Sequence, residues 1–506
     1  MYSSVFSADI SGMEARIIRI EADVSDGLPV FDMVGYLASA VKEARERVRI
    51  AIRNIGIRFP AKRITVNLSP ADLRKEGTTF DLSISISLLN AFGYLPDDRI
   101  ADTLFVGELG LDGAIHSSRG VLAMIKEGRK QGIRRFVVPA VNCYEGGLIE
   151  GAEVYGVSSL TETLDFLRGD IHKEPIRLSY ERYRDRKNYE VDFSDINGCH
   201  ELKRAAEIAV SGRHNLLMIG PPGTGKTMLA RRLITILPDM GIEESLRVTG
   251  MYSISGLLTE EMPIVTKRPF RAPHHTVTAQ ALTGGGRIPA PGEISLATGG
   301  ILFLDELPEF DSKTLEVLRE PLEERKVTVA RVGRSYEYPA DCMFVAAMNP
   351  CKCGFYPDRE KCRCTVSEIH RYLSKISQPL LDRMDLCVET GRELKYYQEA
   401  KKENSAQIRA RVEKTVKRQK ERYQKEGILY NSELNGRMLN KYCKLGEREQ
   451  EYFDEITHTQ EYSNRGVSRL LKVARTIADM EECEEILEKH ITEAVCFRSI
   501  SKNFWG

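Results

Sequence analysis

The segment Gly220-Pro221-Pro222-Gly223-Thr224-Gly225-Lys226-Thr227 fits the pattern G-x-x-x-x-G-K-[ST], and no other stretch constrains the fold of this chain as tightly. It follows an apolar run, Asn215 to Ile219, which reads as a strand, and precedes a helical one, Met228 to Leu237. Closely spaced glycines let backbone N–H groups converge on an anion, the helix N-terminus adds partial positive charge, and Lys226 supplies a full one. The octapeptide is therefore expected to wrap the phosphates of a nucleotide, with the Thr227 hydroxyl placed to hold Mg2+. A glycine-rich turn that matched by chance would not carry these flanks, which are no part of the pattern.

Hydrolysis needs carboxylates at the end of a second buried strand. Gly299-Gly-Ile-Leu-Phe-Leu-Asp-Glu306 is a continuous apolar run ending in two of them, as expected for a strand covered on both faces of a parallel sheet. Asp305 is placed to hold the metal's water shell, and Glu306 to polarise the attacking water. A solvated turn would not follow such a run.

At 506 residues the chain exceeds one hydrophobic core. Residues 1–170 alternate short strands and helices, with strands expected at Ile64 to Leu68, Thr103 to Gly107 and Arg135 to Val138, and read as an α+β domain. Residues 171–191 are polar and read as a linker. Residues 192–390 alternate strands and helices like an open parallel α/β sheet, and 391–506 are almost wholly helical. With 73 basic and 73 acidic residues, a globally basic nucleic-acid binder is excluded, while local basic patches are not. No apolar run is long enough to span a membrane and no export leader is visible, so a cytoplasmic protein without a membrane partner is expected. Eleven cysteines then argue for reduced thiols.

Further positions join the nucleotide argument. Asn349 ends the apolar strand Met343 to Met348 and either orients water against the terminal phosphate or forms a turn before Pro350. Arg383, between a helix and the strand Leu386 to Glu389, either reaches a neighbouring subunit's nucleotide or pairs with Asp382 or Asp385. Arg465 and Arg469 lie four residues apart on one helical face, where either could bind phosphate. Cys351-Lys-Cys353 and Cys362-Arg-Cys364 bring four thiols close enough to close a tetrahedral Zn2+ site, although one intervening residue is tighter than the usual two. Redox-active or purely structural thiols are the alternatives.

In that order, Gly220 to Thr227, Ile301 to Glu306, Asn349, Arg383 and Arg465 resemble the Walker A, Walker B, first sensor, arginine finger and second sensor of an AAA+ ATPase. Arg268-Pro-Phe-Arg-Ala-Pro-His-His275, Gly284-Gly-Gly-Arg-Ile-Pro, Pro291-Gly-Glu-Ile-Ser-Leu-Ala and Thr328-Val-Ala-Arg-Val-Gly-Arg334 look like the magnesium-chelatase-like branch. Over nearly its whole length the chain resembles the YifB/ComM family. That resemblance implies a parallel-sheet ATPase core with a C-terminal helical lid, a homo-hexamer, and helicase or branch-migration activity on single-stranded or branched DNA during uptake and recombination. It also implies a helix insertion and a β-hairpin in the central channel. Candidate DNA contacts there are Arg331 and Arg334 on the hairpin, and Lys267, Arg268, Arg271 and Arg287 on the segment from Met251 to Ala290, which reads as loop. Pairing of Arg331 and Arg334 across subunits is the alternative. Lys75-Glu-Gly-Thr-Thr-Phe-Asp81, Gly107 to Gly113 and Gly132 to Pro139 resemble the proteolytic domain of Lon. Where that pattern places serine this chain has Thr78 or Thr79, and Ser117 to Leu122 offers no aligned lysine, so an inactive scaffold is expected. A metal-inserting chelatase motor and a non-hydrolysing nucleotide-gated scaffold are the rival functions.

Overall fold

A computed structural model of the chain describes residues 1–184, 189–286, 289–331, 334–391 and 402–505, excepting the side chains of 331, 334 and 500–503. By packing, the chain forms two compact units. One gathers Met1–Arg186, Gly241–Thr266 and Ala330–Glu337, and the other Lys187–Met240, Lys267–Val329 and Tyr338–Gly506.

The first unit is built on a seven-stranded mixed sheet. Its strand order is Val30–Val34, Arg63–Ser69, Glu14–Ser25, Tyr2–Ser11, Thr103–Phe105, Arg135–Pro139 and Glu153–Val157. Along Glu14–Ser25, Ile18, Ile20, Ala22 and Val24 turn inward while charged residues face out, the period-two pattern of a half-buried strand. Helix Asp81–Ala91 lies on this sheet with all eleven residues buried. Helix Ile242–Ser255, drawn from the middle of the sequence, belongs to this unit as well. It corrects the reading of the segment from Met251 as loop. Serine, threonine and glycine make its sequence a poor helix former, but Ser245, Thr249 and Ser253 form a buried hydroxyl stripe at a spacing of four. Ser245 Oγ donates to Val265 O, Thr249 Oγ1 accepts from Val265 N, and Ser253 Oγ donates to the buried carboxylate of Glu145.

The second unit carries a five-stranded, wholly parallel sheet in the order Phe270–Arg271, Ile301–Leu304, Met343–Met348, Leu216–Ile219, Leu386–Glu389. Every residue of the three middle strands is buried. At about 1.5–3 kcal/mol per buried aliphatic side chain, each of these strands is firmly held. The sheet thus presents Gly220, Asp305 and Asn349 together at its carboxyl edge, where ligands of such sheets bind. The C-terminal helices Ser405–Arg422 and Asn464–Met480 share one apolar core with the sheet and with helices His200–Gly212 and Lys226–Ile236. Among the described residues no helix is long and apolar enough to cross a membrane.

Candidate nucleotide site and cysteine cluster

The phosphate loop leaves strand Leu216–Ile219 and turns through Gly223 (φ 78°) and Gly225 (φ 84°), left-handed positions that suit residues without a Cβ. Lys226 opens the following helix. Its Nζ donates to Gly220 O at 2.7 Å and Pro221 O at 2.8 Å, and stands 3.4 Å from Asn349 Oδ1. Burial pushes its ammonium down to about 8 against the opposing pull of Asp305. Thr227 Oγ1 donates to Asp305 Oδ2 at 2.6 Å, and Glu306 N donates to Asp305 Oδ1 at 2.9 Å. A hydroxyl and a carboxylate this close are the hard oxygen donors that Mg2+ takes beside a nucleotide phosphate, so the residues fit that ion. Glu306 itself is held left-handed at φ 52°, and its carboxylate lies mostly in solvent beside the loop. Backbone strain of this kind concentrates at functional sites.

Two residues here carried no assigned role from sequence. His275 Nδ1 stands 3.9 Å from Glu306 Oε2, with its ring against that of His274. Thr390 Oγ1 meets Thr224 Oγ1 at 2.7 Å, tying the loop to the end of strand Leu386–Glu389. Its place directly after an apolar strand was the available signal.

The structure brings Lys226, Thr227, Asp305, Glu306 and Asn349 together; the arginines gather elsewhere. Buried Arg383 donates through Nε to Arg319 O and through Nη1 to Pro379 O, both at 2.7 Å, and pairs through Nη2 with Glu323. The other Glu323 oxygen takes Arg465 at 3.0 Å. Neither Asp382 nor Asp385 is the partner of Arg383 here. Arg465 and Arg469 line a cleft of about 350 Å3 with Glu323, Arg325, Asp341 and Lys472, and the lining holds no phosphate-loop residue. Arg469 pairs at 2.5 Å with Asp385, which is buried and also accepts from Asn215 N. Burial raises that carboxyl, but Arg469, His214 and the Asn215 N–H together hold it far below the usual range. Arg469 therefore ties helix Asn464–Met480 to the sheet, which corrects its reading as a phosphate ligand. Glu323, which no motif marks, is the residue that joins Arg383 to Arg465.

Two of the candidate DNA contacts are also corrected. Arg268 is buried and donates to Pro238 O, just past helix Lys226–Ile236, and to Gly299 O, just ahead of strand Ile301–Leu304. Arg271 is held bidentate by Glu293 at 2.6 and 2.7 Å. In this structure both guanidiniums are taken up by partners in their own chain. Lys267 lies over the Tyr189 ring with Nζ 5.9 Å from its centroid. Strands Lys326–Arg331 and Arg334–Pro339 pair as the expected hairpin, the first ending at Arg331 and the second beginning at Arg334. The side chains of these two and the whole of Arg287 lie outside the described residues.

All four thiols of Cys351, Cys353, Cys362 and Cys364 lie within 4.8 Å of one another. Burial raises Cys353, but the Phe355 and Arg363 N–H groups and the neighbouring thiols bring it down to about 6, while Cys362 is pushed up to about 12. This soft tetrad is compatible with zinc. In the first unit, Thr78 Oγ1 donates to Glu108, and fully buried Lys75 donates to Pro70 O.

The profile of magnesium chelatase, subunit ChlI, matches residues 192–398, its C-terminal profile 402–498, and a further subunit ChlI profile 20–142. The chain is 42% identical to the protein YifB of Salmonella typhimurium over 97% of this chain and 96% of that one. It is 39% identical to the competence protein ComM of Haemophilus influenzae over 98% and 97%. Against the magnesium-chelatase 38 kDa subunit of Chlorobaculum parvum the identity is 28%, over 31% of this chain and 53% of that one. A likeness that runs end to end with the first two and over one segment with the third places the chain: it belongs to the YifB/ComM family of magnesium-chelatase-like AAA+ proteins.

Proposed function

We propose that this protein hydrolyses ATP with Mg2+, assembles as a homo-hexamer, and drives helicase or branch-migration movement on single-stranded or branched DNA in recombination or transformation. The observation that carries this reading is the division of the catalytic set. Phosphate loop, metal-binding oxygens, Glu306 and Asn349 converge at one sheet edge, while Arg383 and Arg465 gather around Glu323 in a cluster that includes none of them. A site that holds these groups but no arginine of this cluster suits a ring in which the next copy supplies one. Lys226 binds the phosphates, Thr227 and Asp305 hold the ion that neutralises them, Glu306 takes the proton from the attacking water, and Asn349 orients that water. Likeness to a competence protein supports DNA as the track. The cysteine tetrad holds zinc, and the Lon-like domain acts as a scaffold without peptidase chemistry.

Turnover of ATP with and without single-stranded DNA, followed by strand displacement on forked and four-way DNA, tests the reading. Stimulated turnover with displacement is the expected result. Hydrolysis indifferent to DNA, with no displacement on either substrate, would overturn it.

A further inference from the structure

The cysteine cluster is built against the phosphate loop. Strand Met343–Met348 delivers Asn349, whose Oδ1 stands 3.4 Å from Lys226 Nζ, and two residues later Cys351 enters the cluster fully buried. Gly354 lies between the two C-x-C pairs with φ 83°, and a Cβ placed on it would come 2.5 Å from Pro222 Cδ. The cysteine loop therefore touches the phosphate loop at Pro222 and continues directly from the residue that faces Lys226.

The sulfur positions suit a bound ion. Cys351 Sγ stands 3.3 Å from Cys353 Sγ and 3.7 Å from Cys362 Sγ, and Cys353 to Cys362 is 3.6 Å. These separations are far beyond a disulfide bond. They are close to the edge of about 3.8 Å expected for a tetrahedron of sulfurs with Zn–S near 2.3 Å. From Cys351 to Cys364 the backbone forms turns without helix or strand. Local turn bonds and packing against the apolar core also support it. Cross-linking four points of such a loop through one ion would fix its path, and with it the surface against which Pro222 rests.

We infer that a zinc-class cation on Cys351, Cys353, Cys362 and Cys364 sets the shape of the phosphate loop through Gly354 and Pro222, so that metal occupancy and nucleotide affinity are thermodynamically linked. The inference rests on the nucleotide reading of the Gly220–Thr227 loop. Linkage is reciprocal: if zinc tightens nucleotide binding by some factor, nucleotide tightens zinc binding by the same one.

The test uses the full chain and measures binding, so hydrolysis does not enter. Elemental analysis of protein purified from zinc-supplemented cells is expected to find one zinc per chain. Stripping it with a zinc-selective chelator in excess Mg2+ is expected to weaken binding of a fluorescent ADP by about tenfold or more, and returning Zn2+ to restore it. The chain's one tryptophan, Trp505, adjoins Phe504, which packs on Tyr356 of the cysteine loop, so its emission reports the loop independently of nucleotide. Cys364→Ser should behave as the stripped protein. Gly354→Ala should keep its zinc yet bind ADP more weakly, because the added Cβ presses on Pro222. Protein without zinc overturns the metal site. Stripped protein that binds ADP undiminished while Trp505 reports the change overturns the linkage alone. Zinc-loaded protein that binds no nucleotide overturns the reading of the phosphate loop, and the linkage with it.

Discussion

Mixing two inactive variants gives the sharpest test of the divided site. Lys226→Ala removes the cation assigned above to phosphate binding, and Arg383→Ala removes the buried guanidinium held by Glu323. Each substitution alone should lower ATP turnover steeply, since an arginine finger contributes about 10^3–10^5-fold in comparable enzymes. In a mixture, an Arg383→Ala copy keeps its phosphate loop, and a Lys226→Ala copy keeps its arginine. If the arginine acts on the adjoining copy, an interface is sound when the first kind supplies the loop and the second the guanidinium. For equal amounts assembled at random into rings, that is about one interface in four, so turnover should recover to roughly a quarter of the unmodified rate if interfaces act independently. If the arginine acts within its own chain, every copy in the mixture is defective and recovery is nil. The assay is steady-state phosphate release from rings co-assembled after dissociation, with each variant alone as baseline. A mixture that stays at that baseline, in rings shown by native mass spectrometry to contain both variants, would refute the division of labour between copies.

Three further outcomes are expected. Glu306→Gln should keep ATP binding and lose turnover by about 10^2–10^4-fold, measured as nucleotide retained against phosphate released. Asp385→Asn should destabilise the fold by about 3–5 kcal/mol, because it leaves Arg469 facing a buried site without its countercharge. The Asp385 carboxyl is depressed in the folded chain, so its contribution is complete above its unfolded value of about 4 and fades as pH falls below it. The variant's denaturation midpoint should accordingly lose part of the acid dependence of the parent. Arg268→Ala should lower thermal stability without altering the salt dependence of DNA binding, whereas Arg331→Ala with Arg334→Ala should flatten that dependence.

The buried parallel strands were plain in the sequence because a strand covered on both faces has no polar interruptions. Met343–Met348 and Leu386–Glu389 fall where the apolar runs placed them, and the ends of such runs located Gly220, Asp305 and Asn349. Strand Tyr2–Ser11 was not legible. Its serines and its aspartate dilute the alternation, and the long antiparallel pairing with Glu14–Ser25 supplies the order that composition does not. Helix Ile242–Ser255 was hidden for a related reason, since part of its buried face is made of hydroxyls that find partners only after folding. The arginines teach the sharpest lesson. Sequence gives the sign of a charge but not its counterion, and Arg268, Arg271 and Arg469 proved to be held by Gly299, Glu293 and Asp385. Four residues of helical spacing did put Arg465 beside Arg469, yet which surface that face met was fixed by Glu323, a residue far away in the chain.

Lys226 shows what assembling this site asks of the fold. An ordinary lysine titrates at 10.5, and burial brings this one to about 8. Keeping the ammonium charged at neutral pH therefore costs the folded chain free energy. Hydrogen bonds to the carbonyls of Gly220 and Pro221 favour the charged form against that burial. The depressed value fixes the sign: stability should rise as pH climbs from about 8 towards 10.5, where the unfolded chain still binds the proton and the folded one does not. Lys226→Met, similar in length and uncharged, should remove that rise and leave the nucleotide-free protein at least as stable as the parent at pH 7, while nucleotide binding is lost. Loss of both stability and binding at pH 7, with the alkaline rise unchanged, would show that the lysine supports the loop rather than straining it. The expected result places the strain where the anion goes: a buried cation that the fold alone leaves poorly compensated is one that a phosphate can complete.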